Sequence, residues 1–151
     1  MRKRAIVKKG NLCSACGRYY DRHVACDGLI VEDGKILLIL RGMENHKGRW
    51  ALIGGYLDWN ETVEECIIRE VKEEIGADTE IVKFFGVYSD PKRDPGDLQN
   101  VAIVFILKLL AREFILEKDE VLDLRWFPLD KLPANMAFDH RKIIEDYIKD
   151  S

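Results

Sequence analysis

One stretch, GGYLDWNETVEECIIREVKEEIGA at residues 54–77, constrains the fold more than any other. Val63, Ile67, Val71 and Ile75 recur every four residues, so residues 62–75 read as a helix with a single apolar stripe. Thr62 followed three residues later by Glu65 makes a capping box, and Gly76 supplies the C-terminal stop. Around this helix the pattern changes to strands. VACDGLIV (24–31) and KILLILRG (35–42) are joined by a hairpin turn at Glu32-Asp33-Gly34, and RWALI (49–53) is a short strand running into Gly54-Gly55. EIVKFFGVYS (80–89), NVAIVFILKLL (100–110) and VLDLRWFP (121–128) read as further strands. DHRKIIEDYIK (139–149) reads as a second helix, capped by Asp139, with Ile143, Ile144, Tyr147 and Ile148 facing inward. Strands and helices mix without strict alternation, which predicts an α/β fold with a mixed β-sheet covered by helices on both faces.

The 151 residues suffice for one domain with one core. The longest apolar region, VAIVFILKLLA (101–111), is interrupted by Lys108 and too short for a bilayer span. The N-terminus lacks an apolar stretch of signal-peptide length, so a cytoplasmic protein with no membrane partner is expected. Charge is uneven along the chain. Residues 1–23 carry seven Lys/Arg against Asp21, a net +6, which leaves −9 on the remainder of a chain whose formal charge is −3. The boundary falls near residue 23, giving a basic, cysteine-containing arm at 1–22 and a folded domain at 23–151. A solvated terminus is the expected state of that arm. Tyr19 and Tyr20 beside its cations suggest nucleic-acid binding, but no complete motif accompanies them, and a nucleic-acid partner is not expected.

On a helix Glu70, Glu73 and Glu74 stand at i, i+3 and i+4 and share one face. Bare carboxylates at that spacing repel, so divalent cations are the natural partners; hard oxygen ligands suit Mg²⁺ or Mn²⁺. Arg69 stands four residues before Glu73 and can orient its carboxylate. Gly54-Gly55 lets the backbone turn sharply and approach a ligand closely. A substrate that brings its own charge to such a site is most simply a diphosphate, whose oxygens complete the metal's coordination.

The same residues resemble the Nudix box, G-x5-E-x7-R-E-U-x-E-E-x-G-U with U aliphatic. Gly55 begins it, Glu61 is its first glutamate, and Arg69-Glu70-Val71-Lys72-Glu73-Glu74-Ile75-Gly76 completes it, with Ala77 in the last aliphatic position. VEDGKILLILRG, GRWALIGG and DEVLDLRWFPLDKLP resemble the segments that flank the box, with Ile53 where the family usually has proline. The resemblance implies an α/β/α sandwich that hydrolyses a nucleoside diphosphate linked to another moiety. It implies that Gly54 offers its carbonyl to metal and that Glu70, Glu73 and Glu74 are ligands. Glu73, Glu74 and Arg69 are then catalytic, Glu61 supports the loop and Arg69, and Glu120, just before the strand at 121–128, is the first candidate for general base.

GVYSDPKRDP (86–95) with AFDHRKIIEDY (137–147) looks like short ADP-ribose pyrophosphatase-type members, although Gly96-Asp97-Leu98 stands where such relatives often have Arg-Gly-His. The expected reaction is ADP-ribose to AMP and ribose 5-phosphate. Tyr88, or Trp59, can stack on a base, and Lys92 and Arg93 can meet a phosphate or terminal ribose. The alternatives are a pyrophosphohydrolase of (oxidised) nucleoside triphosphates and a Nudix-fold sensor that binds without cutting. A small-molecule nucleotide substrate and a homodimer are the expected partners. Cys13-x2-Cys16 followed by Gly17 looks like one knuckle of the zinc ribbon found ahead of the catalytic domain in NADH pyrophosphatases. Structural Zn²⁺ needs four ligands, for which His23 and Cys26 are available; otherwise the knuckle is two reduced thiols. Cys66 reads as core.

Overall fold

A computed structural model describes residues 12–17, 21–94 and 99–151. The elements are β1 (Val24–Glu32), β2 (Lys35–Arg41), β3 (Trp50–Ala51), β4 (Ile53–Tyr56), α1 (Val63–Ile75), β5 (Thr79–Tyr88), β6 (Val101–Leu109), β7 (Val121–Pro128) and α2 (His140–Asp150). The sheet runs β3-β2-β1-β6-β5, with β4 also pairing β1 and β7 pairing β2. β1 and β6 are parallel, whereas β1–β2, β1–β4, β2–β7 and β5–β6 are antiparallel. The expected mixed sheet is therefore the observed one.

Period-two alternation divides the core. Cys26 and Ile30 of β1, Leu37 and Ile39 of β2, and Phe105, Leu107 and Leu109 of β6 join Ile67, Val71 and Ile75 of α1 in one cluster. Leu29, Ile36, Leu38, Ala102 and Val104 join Ile143 and Ile144 of α2 in the other. The two clusters lie on opposite faces of the sheet, one under each helix, which makes the sandwich. Each fully buried Leu or Ile contributes about 1.5–3 kcal/mol relative to exposure.

The hairpin turn has Asp33 at φ 50° and Gly34 at φ 73°, the left-handed pair a tight hairpin demands. Three expectations need correction. The strand at 49–53 is two strands, β3 and β4, and β4 continues through Gly54-Gly55 to Tyr56 instead of turning there. Asp139 precedes α2, but its side chain makes no cap hydrogen bond because Arg93 engages both carboxylate oxygens. Ile148 is exposed, since the inward face of α2 ends near Tyr147. The basic residues Arg2, Lys3, Arg4, Lys8, Lys9 and Arg18, together with Tyr19, Tyr20 and Gly96-Asp97-Leu98, lie outside the described residues. No helix among the described residues is long and apolar enough to cross a membrane.

Candidate active site

The capping box forms as the sequence predicts: Thr62 Oγ1 accepts from the Glu65 amide at 3.1 Å, and Glu65 Oε2 accepts from the Thr62 amide at 3.2 Å. This sets where α1 starts and which of its side chains meet β4. Glu70 and Glu74, one turn apart, face that strand and are buried. Glu74 Oε2 accepts from the Gly54 amide at 3.1 Å. Glu70 lies so close to Gly55 that a Cβ there would come 2.4 Å from its carboxylate, so glycine is needed at 55 for close approach and not for a turn. Burial raises the Glu74 carboxyl well above its ordinary range, and the neighbouring Glu70 raises it further. Burial also raises Glu70, against the lowering effect of its hydrogen bond from Arg69.

Glu73 behaves differently. Its side chain is 57% exposed and accepts from Arg69 Nη1 at 3.0 Å. Arg69 reaches further than the expected single partner. It makes a bidentate pair with Glu61 at 2.8 and 2.6 Å, donates to Glu70 at 2.8 Å, and donates to the Tyr56 carbonyl at 3.0 Å. The Arg69 bond holds Glu61 down at a pKa of about 2, and Glu61 Oε1 also accepts from the Asp58 amide at 2.7 Å. Arg69 and Glu61 thus tie the start of the box to its helix.

A cleft of about 180 Å³ opens beside these groups, lined by Gly54, Gly55, Glu70 and Glu74 and by Glu120 from the turn before β7. Asp27, Arg41, His140 and Phe138 line it as well, and the sequence reading missed them. Asp27 interrupts the apolar run of β1 and Arg41 ends that of β2, so both carried a sequence signal; the other two carried none. Burial pushes Asp27 up to about 7 and lowers Arg41, and it keeps His140 neutral by lowering it well below its usual value. His140 Nδ1 accepts from the Leu52 amide at 3.0 Å, so its proton sits on Nε2, 3.7 Å from Asp27 Oδ2. Phe138 has a left-handed φ of 50°, rare for a bulky side chain, and the Arg41 guanidinium stands 5.0 Å over its ring.

The candidate substrate residues are divided. Tyr88 and Lys92 line a neighbouring, more open cleft, where the Tyr88 hydroxyl donates to Asp146 at 2.8 Å. Arg93 stands between the two clefts, buried, with its guanidinium given to Asp139 at 2.7 and 3.1 Å and to the Asn100 carbonyl at 3.2 Å. It does not merely solvate the loop. Trp59 is 74% exposed outside either cleft.

The oxygen donors in the main cleft suit a hard divalent cation: two are carboxylates raised by burial, and a third lines the same space. Among the described residues, no three His, Cys, Asp or Glu side chains stand close enough to clasp an ion without rearrangement. The same finding covers Cys13 and Cys16. Cys26 is fully buried against Cys66 in the core, and the His23 ring packs edge-on to Tyr56, so neither completes a zinc set there.

Residues 21–147 match the family model of the NUDIX domain. The chain belongs to the Nudix family. It is 43% identical over 144 residues to an ADP-ribose pyrophosphatase of Methanocaldococcus jannaschii, covering 95% of this chain and 83% of that one. It is 30% identical over 139 residues to a NAD-capped RNA hydrolase of Stutzerimonas stutzeri, covering 90% of this chain but only 49% of that protein, about half its length. Among solved structures, a MutT Nudix hydrolase from Burkholderia pseudomallei superposes with a TM-score of 0.75 at 35% identity, covering 83% of this chain and 98% of that one. This chain is accordingly a Nudix hydrolase, similar to ADP-ribose pyrophosphatases. Nudix hydrolases generally use divalent metals such as Mg²⁺ or Mn²⁺, which accords with the oxygen donors of the cleft.

Proposed function

We propose that this Nudix hydrolase cuts the diphosphate of a nucleoside diphosphate derivative, ADP-ribose by preference, to AMP and ribose 5-phosphate. One observation carries the reading: Glu70 and Glu74, buried against Gly54-Gly55, share a cleft with Glu120. Glu70, Glu73, Glu74 and the Gly54 carbonyl would hold Mg²⁺ or Mn²⁺, which neutralises the diphosphate oxygens and polarises the phosphorus under attack. Arg69 acts through its partners, holding the Glu70 and Glu73 carboxylates in position. Glu120 is the base that takes the proton of the attacking water. Arg93 holds the wall between the two clefts, and Tyr88 and Lys92 beyond it meet the end of the substrate remote from the metals.

The 43% identity to an ADP-ribose pyrophosphatase supports the substrate preference. A second reading, cleavage of NAD-type dinucleotides, is favoured by the NAD-capped RNA hydrolase relatives. The deciding experiment compares specificity constants for ADP-ribose, NADH, NAD-capped RNA, diadenosine polyphosphates and 8-oxo-dGTP under matched Mg²⁺. ADP-ribose should lead. A competitor turned over about tenfold more efficiently, a preference of about 1.4 kcal/mol in the transition state, overturns the assignment. We further propose a homodimer, for which the edge strand β5 with exposed Val82, Phe84 and Val87 is a suitable surface; sedimentation velocity at micromolar concentration decides it.

A further inference from the structure

The turn that carries Glu120 is held by a chain of hydrogen bonds that begins on the metal-side helix. An α-helix ends with carbonyls that lack intrahelical partners. At the end of α1, Gly76 returns its amide to the Lys72 carbonyl, while the carbonyls of Ile75 and Glu74 accept from the amides of Ile115 and Glu117, each at 2.9 Å. The segment 115–117 is thus docked on the helix through its backbone; the Ile115 side chain is 77% exposed, whereas Phe114 and Leu116 pack on the core. Glu117 then organises the turn that leads into β7. Its carbonyl accepts from Val121 at 3.0 Å, closing one turn, and its Oε2 accepts from the amides of Asp119 at 2.8 Å and Glu120 at 2.7 Å. Glu120 in turn gives its carbonyl to the Gly42 amide at 2.8 Å.

Two glycines admit this arrangement. A Cβ on Gly76 would meet Ile115 at 3.0 Å, and one on Gly42 would meet the Asp119 carbonyl at 2.7 Å. The turn therefore lies directly on the ends of α1 and β2, and both lead to residues of the cleft, Glu74 and Arg41. Hydrogen bonds from amides to a carboxylate are the stronger, charge-assisted kind. Glu117 thus links Glu120 to Glu74: its carboxylate holds the backbone amide of Glu120, and its own amide donates to the carbonyl of Glu74.

We propose that Glu117 is a positioning residue for the reaction: it sets the distance between Glu120 and the metal-binding helix, without touching substrate. The inference rests on the reading of Glu120 as the base. In full-length protein, Glu117→Ala, Glu117→Gln and Glu120→Gln are compared for ADP-ribose hydrolysis in Mg²⁺, and amide hydrogen exchange is measured residue by residue in metal-free protein. Glu117→Ala should lower kcat roughly tenfold or more, the cost of misplacing a reacting group, and leave KM within about twofold. Glu117→Gln keeps an oxygen for both amides and should retain most of kcat. In Glu117→Ala, exchange should quicken at Asp119 and Glu120 and stay slow in α1. Wild-type kcat in Glu117→Ala beside an impaired Glu120→Gln overturns the proposal. So does faster exchange throughout α1 and the sheet, which marks a merely structural residue. Full activity in Glu120→Gln rejects the base assignment instead, and the exchange at Asp119 and Glu120 then still decides whether Glu117 holds the turn.

Discussion

Gly54 and Gly55 are neighbours in β4, yet their missing side chains serve different ends. A Cβ on Gly54 would meet the Cys26 carbonyl at 2.0 Å, backbone of the central strand that cannot give way. On Gly55 the obstacle is the Glu70 carboxylate, the free end of a flexible side chain. Gly54→Ala should therefore lower the melting temperature sharply, whereas Gly55→Ala should fold and lose metal affinity because Glu70 is displaced. Thermal unfolding and Mn²⁺ titration of the two variants check the contrast. The carboxylates allow a second prediction. Glu74→Gln keeps an acceptor for the Gly54 amide while removing an ionisable group whose charged form burial and Glu70 both disfavour. It should cost turnover about two orders of magnitude or more and raise the melting temperature of the metal-free protein. Glu73→Gln should cost comparable turnover with little change in stability, since that side chain is exposed. Loss of turnover in EDTA completes the test.

At the level of elements, the two helices start in different ways. α1 begins on a reciprocal capping box, so Thr62→Ala should cost about 1 kcal/mol. α2 has no side-chain cap because Asp139 is committed to Arg93, an ion pair whose side chains are 13% and 3% exposed. That pair fastens the segment before β6 to the start of α2. Arg93→Ala strands a mostly buried carboxylate and should cost about 3 kcal/mol or more, several times the effect at Thr62. Urea unfolding ranks the two variants. In a double-mutant cycle, Arg93 and Asp139 should couple strongly, while Thr62 and Asp139 should be additive.

Across the whole molecule, the buried acids of the cleft tie stability to pH. Asp27 is raised from 3.8 to about 7 by burial, which outweighs the opposing pull of Arg93 and Arg41. The folded state then holds a proton that the unfolded chain has released, so the stabilisation is fully present below pH 3.8 and is lost as pH rises through 7. For Asp27 alone the shift corresponds to about 4 kcal/mol. Glu70 and Glu74 are raised as well and act in the same direction. Buried His140, lowered well below its usual value, acts in the opposite direction up to about pH 6.5. Three raised acids stand against it, so metal-free protein should melt at progressively lower temperature between pH 4 and 7. Asp27→Asn should flatten part of that slope, and Mg²⁺ should restore stability near neutral pH. A melting series at constant ionic strength, with and without Mg²⁺, reads out all three.

The sequence by itself determined most of the elements, the division at β3 and β4 excepted, and the acid-bearing helix. Periodicity and capping are local properties, so α1, its caps, the hairpin turn and the mixed sheet could be read from spacing alone, and the motif named the family. Glu120 could be nominated because it directly precedes a strand. Only the tertiary structure decided which groups meet. It separated Glu73 from the two buried carboxylates, drew Asp139 away from its helix to Arg93, and carried β4 straight through the two glycines. It also gathered Asp27, Arg41, Phe138 and His140, from β1, β2 and the start of α2, into one cleft. Those meetings depend on register and close approach between segments far apart in the chain, and on burial that exists only once both faces of the sheet are covered. No window of neighbouring residues contains that information.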